Sequence, residues 1–243
     1  MNPNYSDAHT HLDERMKHIL QQTETCAVIS CSSPRQCEEA EKMICDQASL
    51  HMSCGIHPWH VDQTSFEEML PWLQKTKVIG EIGMDNVWCK TDLQLQEQIF
   101  VRQLQFACKN KKPVVLHTKG MERQILKQIR RYPNTYHVHW YSCAQYIEEY
   151  RDLDCYFSIG PFPSIDENVA KVAKIIPIDR LLIETDGISA VEWAAGKTIN
   201  DGDYPRILQR IAAEIASIKE LTTEEVLYRT KQNLLQFLTS ERG

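Results

Sequence analysis

The sequence predicts an α/β fold, a (β/α)8 TIM barrel formed as one domain over residues 1–243. Three observations predict it. Apolar, strand-like runs alternate with segments of helical periodicity along the chain, the pattern of βαβ units around a parallel sheet. Eight such runs can be counted; an open doubly wound sheet alternates too, but eight is the number that closes a barrel. The length, 243 residues, suits a barrel as a single domain, and no Gly/Ser tract, charge block or low-complexity segment divides it.

The elements follow in order. Tyr5–His11 opens as a strand, followed by a weak helical signal around Arg15–Gln22. Cys26–Cys31 is the second strand and Pro34–Asp46 its helix. His51–Ile56 leads to a helix at Phe66–Gln74, and Val78–Ile82 to one at Leu93–Lys109. Val114–His117 precedes the helical segment Met121–Arg131, and Tyr136–Trp140 precedes Ala144–Arg151. Cys155–Ile159 is followed by Asp166–Ile175, and Leu181–Thr185 is the eighth strand. The tail ends in two helices, Tyr204–Ser217 and Thr223–Leu238, after a Gly/Asp/Asn-containing loop at Gly196–Asp203.

Composition narrows the class. Hydrophobic residues make up 42% and charged residues 25%, a globular balance. No apolar run approaches the ~20 residues of a membrane span. The N-terminus lacks the basic and apolar regions of a secretory signal. With 27 Lys and Arg against 33 Asp and Glu, the net charge is −6, unlike a protein that coats DNA. Nine cysteines, an odd number without a CxxC pair, read as buried reduced thiols of a cytoplasmic protein rather than a disulfide or zinc-finger framework.

The polar residues collect where strands end, the face on which such barrels carry their sites. Strand one ends in His9 and His11, two apart and so on one face of the strand. Strand three leads to His57, strand four carries Glu81, strand five ends in His117, strand six holds His137 and His139, and strand eight runs through Glu184 to Asp186. Each has a structural reading. An HxH pair can hydrogen-bond to itself, Glu81 can sit in a buried ion pair, His117 and His139 can be core histidines, and Asp186 can cap a helix. Taken together the structural readings weaken, because five separate strand ends offer a metal-competent side chain. Imidazole and carboxylate without thiolate suit Zn, Mn or Fe, and Mg where oxygen ligands dominate. Four His and two carboxylates exceed one tetrahedral ion and suit two ions sharing a carboxylate, an arrangement used for hydrolysis.

Several stretches run in the order of one family. They are Asp7-Ala-His-Thr-His-Leu-Asp13, Gly55-Ile-His-Pro58, Gly80-Glu-Ile-Gly-Met-Asp85, Gln96 to Gln103, Pro113-Val-Val-Leu-His-Thr118, His139-Trp-Tyr-Ser142, Leu182-Ile-Glu-Thr-Asp186 and Thr230-Lys-Gln-Asn-Leu234. With these the chain resembles the TatD family of metal-dependent deoxyribonucleases, in the amidohydrolase-like barrel superfamily. The resemblance implies that His9, His11 and Asp186 bind one divalent ion, that Glu81 bridges two, and that His117 and His139 complete the second. It implies Mg, Mn or Zn as the ion. It places His57 against a substrate phosphate and implies a phosphodiesterase on DNA, 3′–5′ exonuclease-like on single strands or ends. Asp186 would accept the proton of the attacking water, and Glu184 would orient a ligand or water.

The periphery departs from the family. Lys119 stands where an Arg is usual and is a poorer bidentate phosphate clamp. Trp59 replaces a His, with His60 displaced by one; Asn86-Val87-Trp88 and Trp140-Tyr141 alter two motifs; and Val191–Thr198 replaces an Arg-containing loop. Trp59, Trp88, Trp140 and Trp193 fall near the mouth, where they can stack on unpaired bases or simply pack loops. Lys119 and Arg123 are the cations expected near phosphate, and Lys109–Lys112 belongs at the opposite face. Two other readings follow: a hydrolase of a small amide, ester or lactone on the same two-ion site, and a metal-binding subunit active only within a larger complex.

Overall fold

A computed structural model describes residues 5–240. Eight parallel strands neighbour one another in chain order: β1 (Ser6–His11), β2 (Cys26–Cys31), β3 (Leu50–Cys54), β4 (Val78–Gly83), β5 (Val114–His117), β6 (Tyr136–Val138), β7 (Tyr156–Ile159) and β8 (Leu181–Ile183). The ring closes where the Asp186 N–H donates to the His9 carbonyl (3.0 Å). Asp7 reinforces that seam. Its carboxylate accepts from the Thr185 N–H (3.0 Å) and hydroxyl (2.5 Å) and from the Tyr204 hydroxyl (2.8 Å). Burial holds the Asp7 carboxyl up, at about 7, against these hydrogen bonds.

Among the described residues ten α-helices surround the strands: α1 (Glu14–Gln21), α2 (Pro34–Asp46), α3 (Phe66–Lys75), α4 (Leu93–Lys109), α5 (Glu122–Ile129), α6 (Ile147–Arg151), α7 (Glu167–Ile175), α8 (Ile188–Ala195), α9 (Tyr204–Lys219) and α10 (Thr223–Leu238). The main apolar layer lies between strands and helices, with Ile29, Ile79, Leu116 and Phe157 among its buried members. A second cluster fills the barrel interior. Ala8, Val28, Val78, Val115 and Leu182 meet Leu234, Phe237 and Leu238 of α10, which close the end opposite the site. Asn233 pins that helix, its amide donating to the carbonyls of Ile178 (2.7 Å) and Leu181 (2.8 Å).

Two strands carry a bulge. Between Asp7 and Thr10, β1 fits one residue more than β2, and β4 does the same against β5 between Ile79 and Ile82. A bulge re-aims the side chains around it, and these two sit at His9 and Glu81. The strands also approach closely: a Cβ at Gly83 would run into the His117 carbonyl oxygen.

The expected alternation holds, with two differences. Strands β3, β6 and β8 stop early, at Cys54, Val138 and Ile183, although the N–H groups of His139 and Glu184 still donate to the carbonyls of Leu116 (3.2 Å) and Ile159 (3.1 Å) on the neighbouring strands. Helix α8 was not expected; Gly187 precedes it at φ +92° without a side-chain cap. Asp186 therefore does not cap the segment after strand eight. All nine thiols are free, but only Cys26, Cys31, Cys37, Cys54 and Cys155 are buried; Cys108 is half-buried and Cys45 exposed. No helix of the described residues is long and apolar enough to cross a membrane.

Candidate metal centre

The six side chains expected to gather at the strand ends do gather. His9 Nε2 lies 3.3 Å from His11 Nε2, 3.3 Å from Glu81 Oε2 and 3.4 Å from Asp186 Oδ1. His11 Nε2 lies 3.6 Å from Glu81 Oε2 and 3.4 Å from Asp186 Oδ1. The other Glu81 oxygen, Oε1, meets His117 Nδ1 and His139 Nε2, each at 2.6 Å, and these two nitrogens are 3.3 Å apart. His57 Nε2 completes the group, 3.5 Å from Glu81 Oε1 and 3.4 Å from His117 Nδ1.

These distances suit a cation. Four donors at ~2.0–2.1 Å from a tetrahedral ion would stand about 3.3–3.4 Å from one another. His9, His11 and Asp186 Oδ1 keep that spacing among themselves, and Glu81 Oε2 keeps it to His9 but stands slightly wider, 3.6 Å, from His11. Glu81 Oε2 and Asp186 Oδ1 are buried without a hydrogen-bond partner, a costly state for carboxylate oxygens unless something positive fills it. Three donor trios can be drawn: His9–His11–Asp186, His9–Glu81–His139 and His57–Glu81–His117. The donor set fits divalent ions on both sides of Glu81.

Electrostatics agree with a shared positive charge. Burial would raise the Glu81 carboxyl, yet the surrounding imidazoles, His139 foremost, hold it well below its usual range. Burial would lower His11, but the Glu81 and Asp186 carboxylates outweigh it and raise the imidazole. Asp186 is pushed up by burial. His57, burial dominating, falls to about 4 and stays neutral at ordinary pH.

A supporting layer aims the candidate donors. Asp85 is fully buried; its Oδ2 accepts from His117 Nε2 (3.1 Å) and the Trp59 indole (2.7 Å), and its Oδ1 from the N–H groups of Val87 (2.8 Å) and Trp88 (2.9 Å). That bond leaves His117 Nδ1 facing Glu81, the arrangement by which a carboxylate sets a ligand's tautomer. Behind His139, Ser158 donates to Glu184 Oε2 (2.6 Å), and Glu184 Oε1 stands 3.6 Å from His139 Nδ1. His137 shares this layer and not the centre. Its Nε2 pairs with the Ser158 hydroxyl (2.6 Å), and burial lowers its pKa to about 3. Gln96 and Gln103, seven apart on α4, clamp the strand ends. Gln96 Oε1 accepts from the Asp85 N–H (2.8 Å), and Gln103 Oε1 from that of Ile56 (2.6 Å).

The centre opens into a cavity of about 1100 Å³. Lys119 lines it, with Nζ bonded to the Ser142 hydroxyl (2.9 Å) and 4.6 Å from the Trp88 ring. Glu122, Asp166 and Glu167 line it as well. All four mouth tryptophans are present but differ in state. Trp59 is tied to Asp85, and Trp140 is half-buried with its ring against Gly160. Trp88 and Trp193 are 54% and 69% exposed and meet edge-to-face at 5.9 Å, leaving surface free for stacking. Arg123, expected near phosphate, lies outside the mouth in a neighbouring groove.

Sequence reasoning gave Asp85, Ser158 and the two glutamines no role. Asp85 ended a quoted motif, and the seven-residue spacing of Gln96 and Gln103 placed them on one helix face. Their partners are distant in sequence, so only the fold shows what they hold.

Fold and donor set define the class, a metal-dependent hydrolase on a (β/α)8 barrel. The TatD related DNase family matches residues 6–239, and the chain belongs to that family. It is 28% identical to the uncharacterized metal-dependent hydrolase YabD of Bacillus subtilis, over 93% of this chain and 96% of that one. It is 24% identical to the human 3′-5′ RNA nuclease TATDN2, over 94% of this chain and 34% of that protein. The fold matches the crystal structure of YJJV, a TatD homolog from Escherichia coli, with a TM-score of 0.82 at 19% identity and 98% coverage of both chains.

Proposed function

We propose that the chain is a phosphodiesterase acting on nucleic acid, DNA or RNA, from the 3′ end of single strands. The observation that carries the reading is Glu81, which presents one oxygen to the His9–His11–Asp186 cluster and the other to His117 and His139. A carboxylate shared in this way suits two ions, Mg, Mn or Zn, as in two-metal phosphoester hydrolysis. Bound there, the ions would supply Lewis acidity, acidifying water and offsetting charge on the phosphoryl oxygens.

The chain's own groups do the rest. Asp186 turns Oδ1 inward and keeps 22% of its side chain exposed, so its outer oxygen is the base placed to take a proton from water in the cavity. His57, neutral and at the cavity floor, contacts a phosphoryl oxygen. Lys119 contributes a point charge beside it. The exposed faces of Trp88 and Trp193 take an unpaired base, which selects frayed or single-stranded ends over duplex.

One relative supports the reading, since it is a 3′-5′ RNA nuclease by name. A second reading has one observation in its favour. Among the described residues Lys119 is the one Lys or Arg lining the mouth, against Glu122, Asp166 and Glu167 outside the centre, so the mouth also suits a small uncharged ester, amide or lactone.

End-labelled single strands of DNA and RNA with Mn²⁺ separate the two. Wild type should shorten the strand stepwise, and Asp186→Asn should lose at least about 100-fold in rate, the scale of general-base removal. A wild-type protein that binds Mn²⁺, leaves both strands intact and cleaves small esters would establish the second reading instead.

A further inference from the structure

Beside the mouth lies a second groove of about 590 Å³, between α5 and the start of α6. Arg123, Lys127 and Arg130 line it, at positions i, i+4 and i+7 and thus along one face of the helix. All three are exposed, and among the described residues no carboxylate pairs with any of them. Glu149 is the single acidic group lining the groove, and Tyr146 stands half-buried at its edge. Lys127 and Arg130 suit the C-terminal end of a helix, but Arg123 occupies the first turn, where the dipole disfavours a cation. Helix electrostatics therefore do not account for the row.

The groove follows the mouth along the chain. Lys119 and Glu122 line the mouth, and Arg123, the next residue, lines the groove. A strand with its end at the centre finds one cation in the mouth. Its remaining phosphates would meet no other there. The row beyond spans about 10 Å of helix axis, room for more than one phosphate. In a chain of net charge −6, three adjacent unpaired cations are a local exception with a fitting ligand, a polyanion.

We propose that the α5 groove is a backbone track that holds the phosphates of the single strand upstream of the scissile bond. This rests on the phosphodiesterase reading for its role in turnover. The track gives the enzyme a grip on long strands that it lacks on very short ones. It carries no base recognition, because its contacts are to phosphate.

The test uses the triple variant Arg123→Gln/Lys127→Gln/Arg130→Gln, three exposed changes remote from the core. Binding of a fluorescent single-stranded oligonucleotide is measured by anisotropy in EDTA, and cleavage of a dinucleotide is measured with Mn²⁺. The variant should bind the long strand at least about tenfold more weakly. Its log-affinity against log-salt slope should be shallower by about 2, as expected for three lost single-strand phosphate contacts. Its dinucleotide turnover should equal wild type. A variant that binds the strand like wild type, with the same slope, overturns the track whatever the dinucleotide shows. Wild type binding polyglutamate of matched charge as tightly as the strand, with both affinities lost in the variant, also overturns it and assigns the groove to an acidic protein. Loss of strand binding in the variant, with a wild type that cleaves neither the dinucleotide nor the long strand, supports the track and overturns the phosphodiesterase reading alone.

Discussion

Single residues decide whether the donors point at one another. Asp85 shows this best, since one carboxylate fixes the His117 ring, the Trp59 indole and the turn at Val87 and Trp88. Asp85→Asn should lower affinity for the ion proposed beside His117 and His139 about 10–100-fold, the usual effect of losing a ligand's orienting partner. Calorimetric Mn²⁺ titration reads it, and an unchanged second binding constant would show that His117 needs no such support. His51 lies at the other end of the barrel. Burial, helped by the Lys77 cation, holds its imidazole below the ordinary 6.5. A depressed histidine keeps the folded state from taking up a proton that the unfolded chain accepts. Its contribution is therefore whole above pH 6.5 and is lost as pH falls below that value. His51→Gln should lose less stability than wild type between pH 7.5 and 5.5. Parallel urea-denaturation midpoints for the two proteins across that range would contradict this.

Whole elements were legible where chemistry marks both ends. Helices α2, α4 and α10 run as read, Pro34–Asp46, Leu93–Lys109 and Thr223–Leu238, and each begins after a side-chain cap at Ser33, Asp92 or Thr222. Helix α8 was missed because Ile188–Ala195 is mostly apolar around its circumference and starts at an uncapped glycine, so neither periodicity nor a cap announces it. The strand ends that bring imidazoles and carboxylates together were legible because a His or carboxylate ending an apolar run stands out. Their partners were not, because Ser158 meeting Glu184 or Gln103 meeting Ile56 depends on three-dimensional neighbours. The same holds for Asn233, visible as part of a motif and explained only by its two carbonyl partners. Asn233→Ala should strip the donors from two largely buried carbonyls and cost about 2–4 kcal/mol, read by denaturant unfolding. Turnover per folded molecule should stay the same, since α10 closes the end away from the centre; a matching fall in kcat would contradict that division.

At the scale of the molecule, the barrel separates stability from chemistry. The interior below the centre is plugged by Phe237 and its neighbours, while the opposite ends of the strands carry the imidazoles and carboxylates. The net charge of −6 is unevenly spread, with acidic groups at the mouth and unpaired cations along α5. The central claim is that Glu81 is shared by two ions. Anomalous diffraction from crystals soaked in Mn²⁺ tests it most directly. The account predicts two peaks flanking Glu81, one among His9, His11 and Asp186 and the other beside His117 and His139. A single peak, or none at Glu81 with the protein intact, would contradict it.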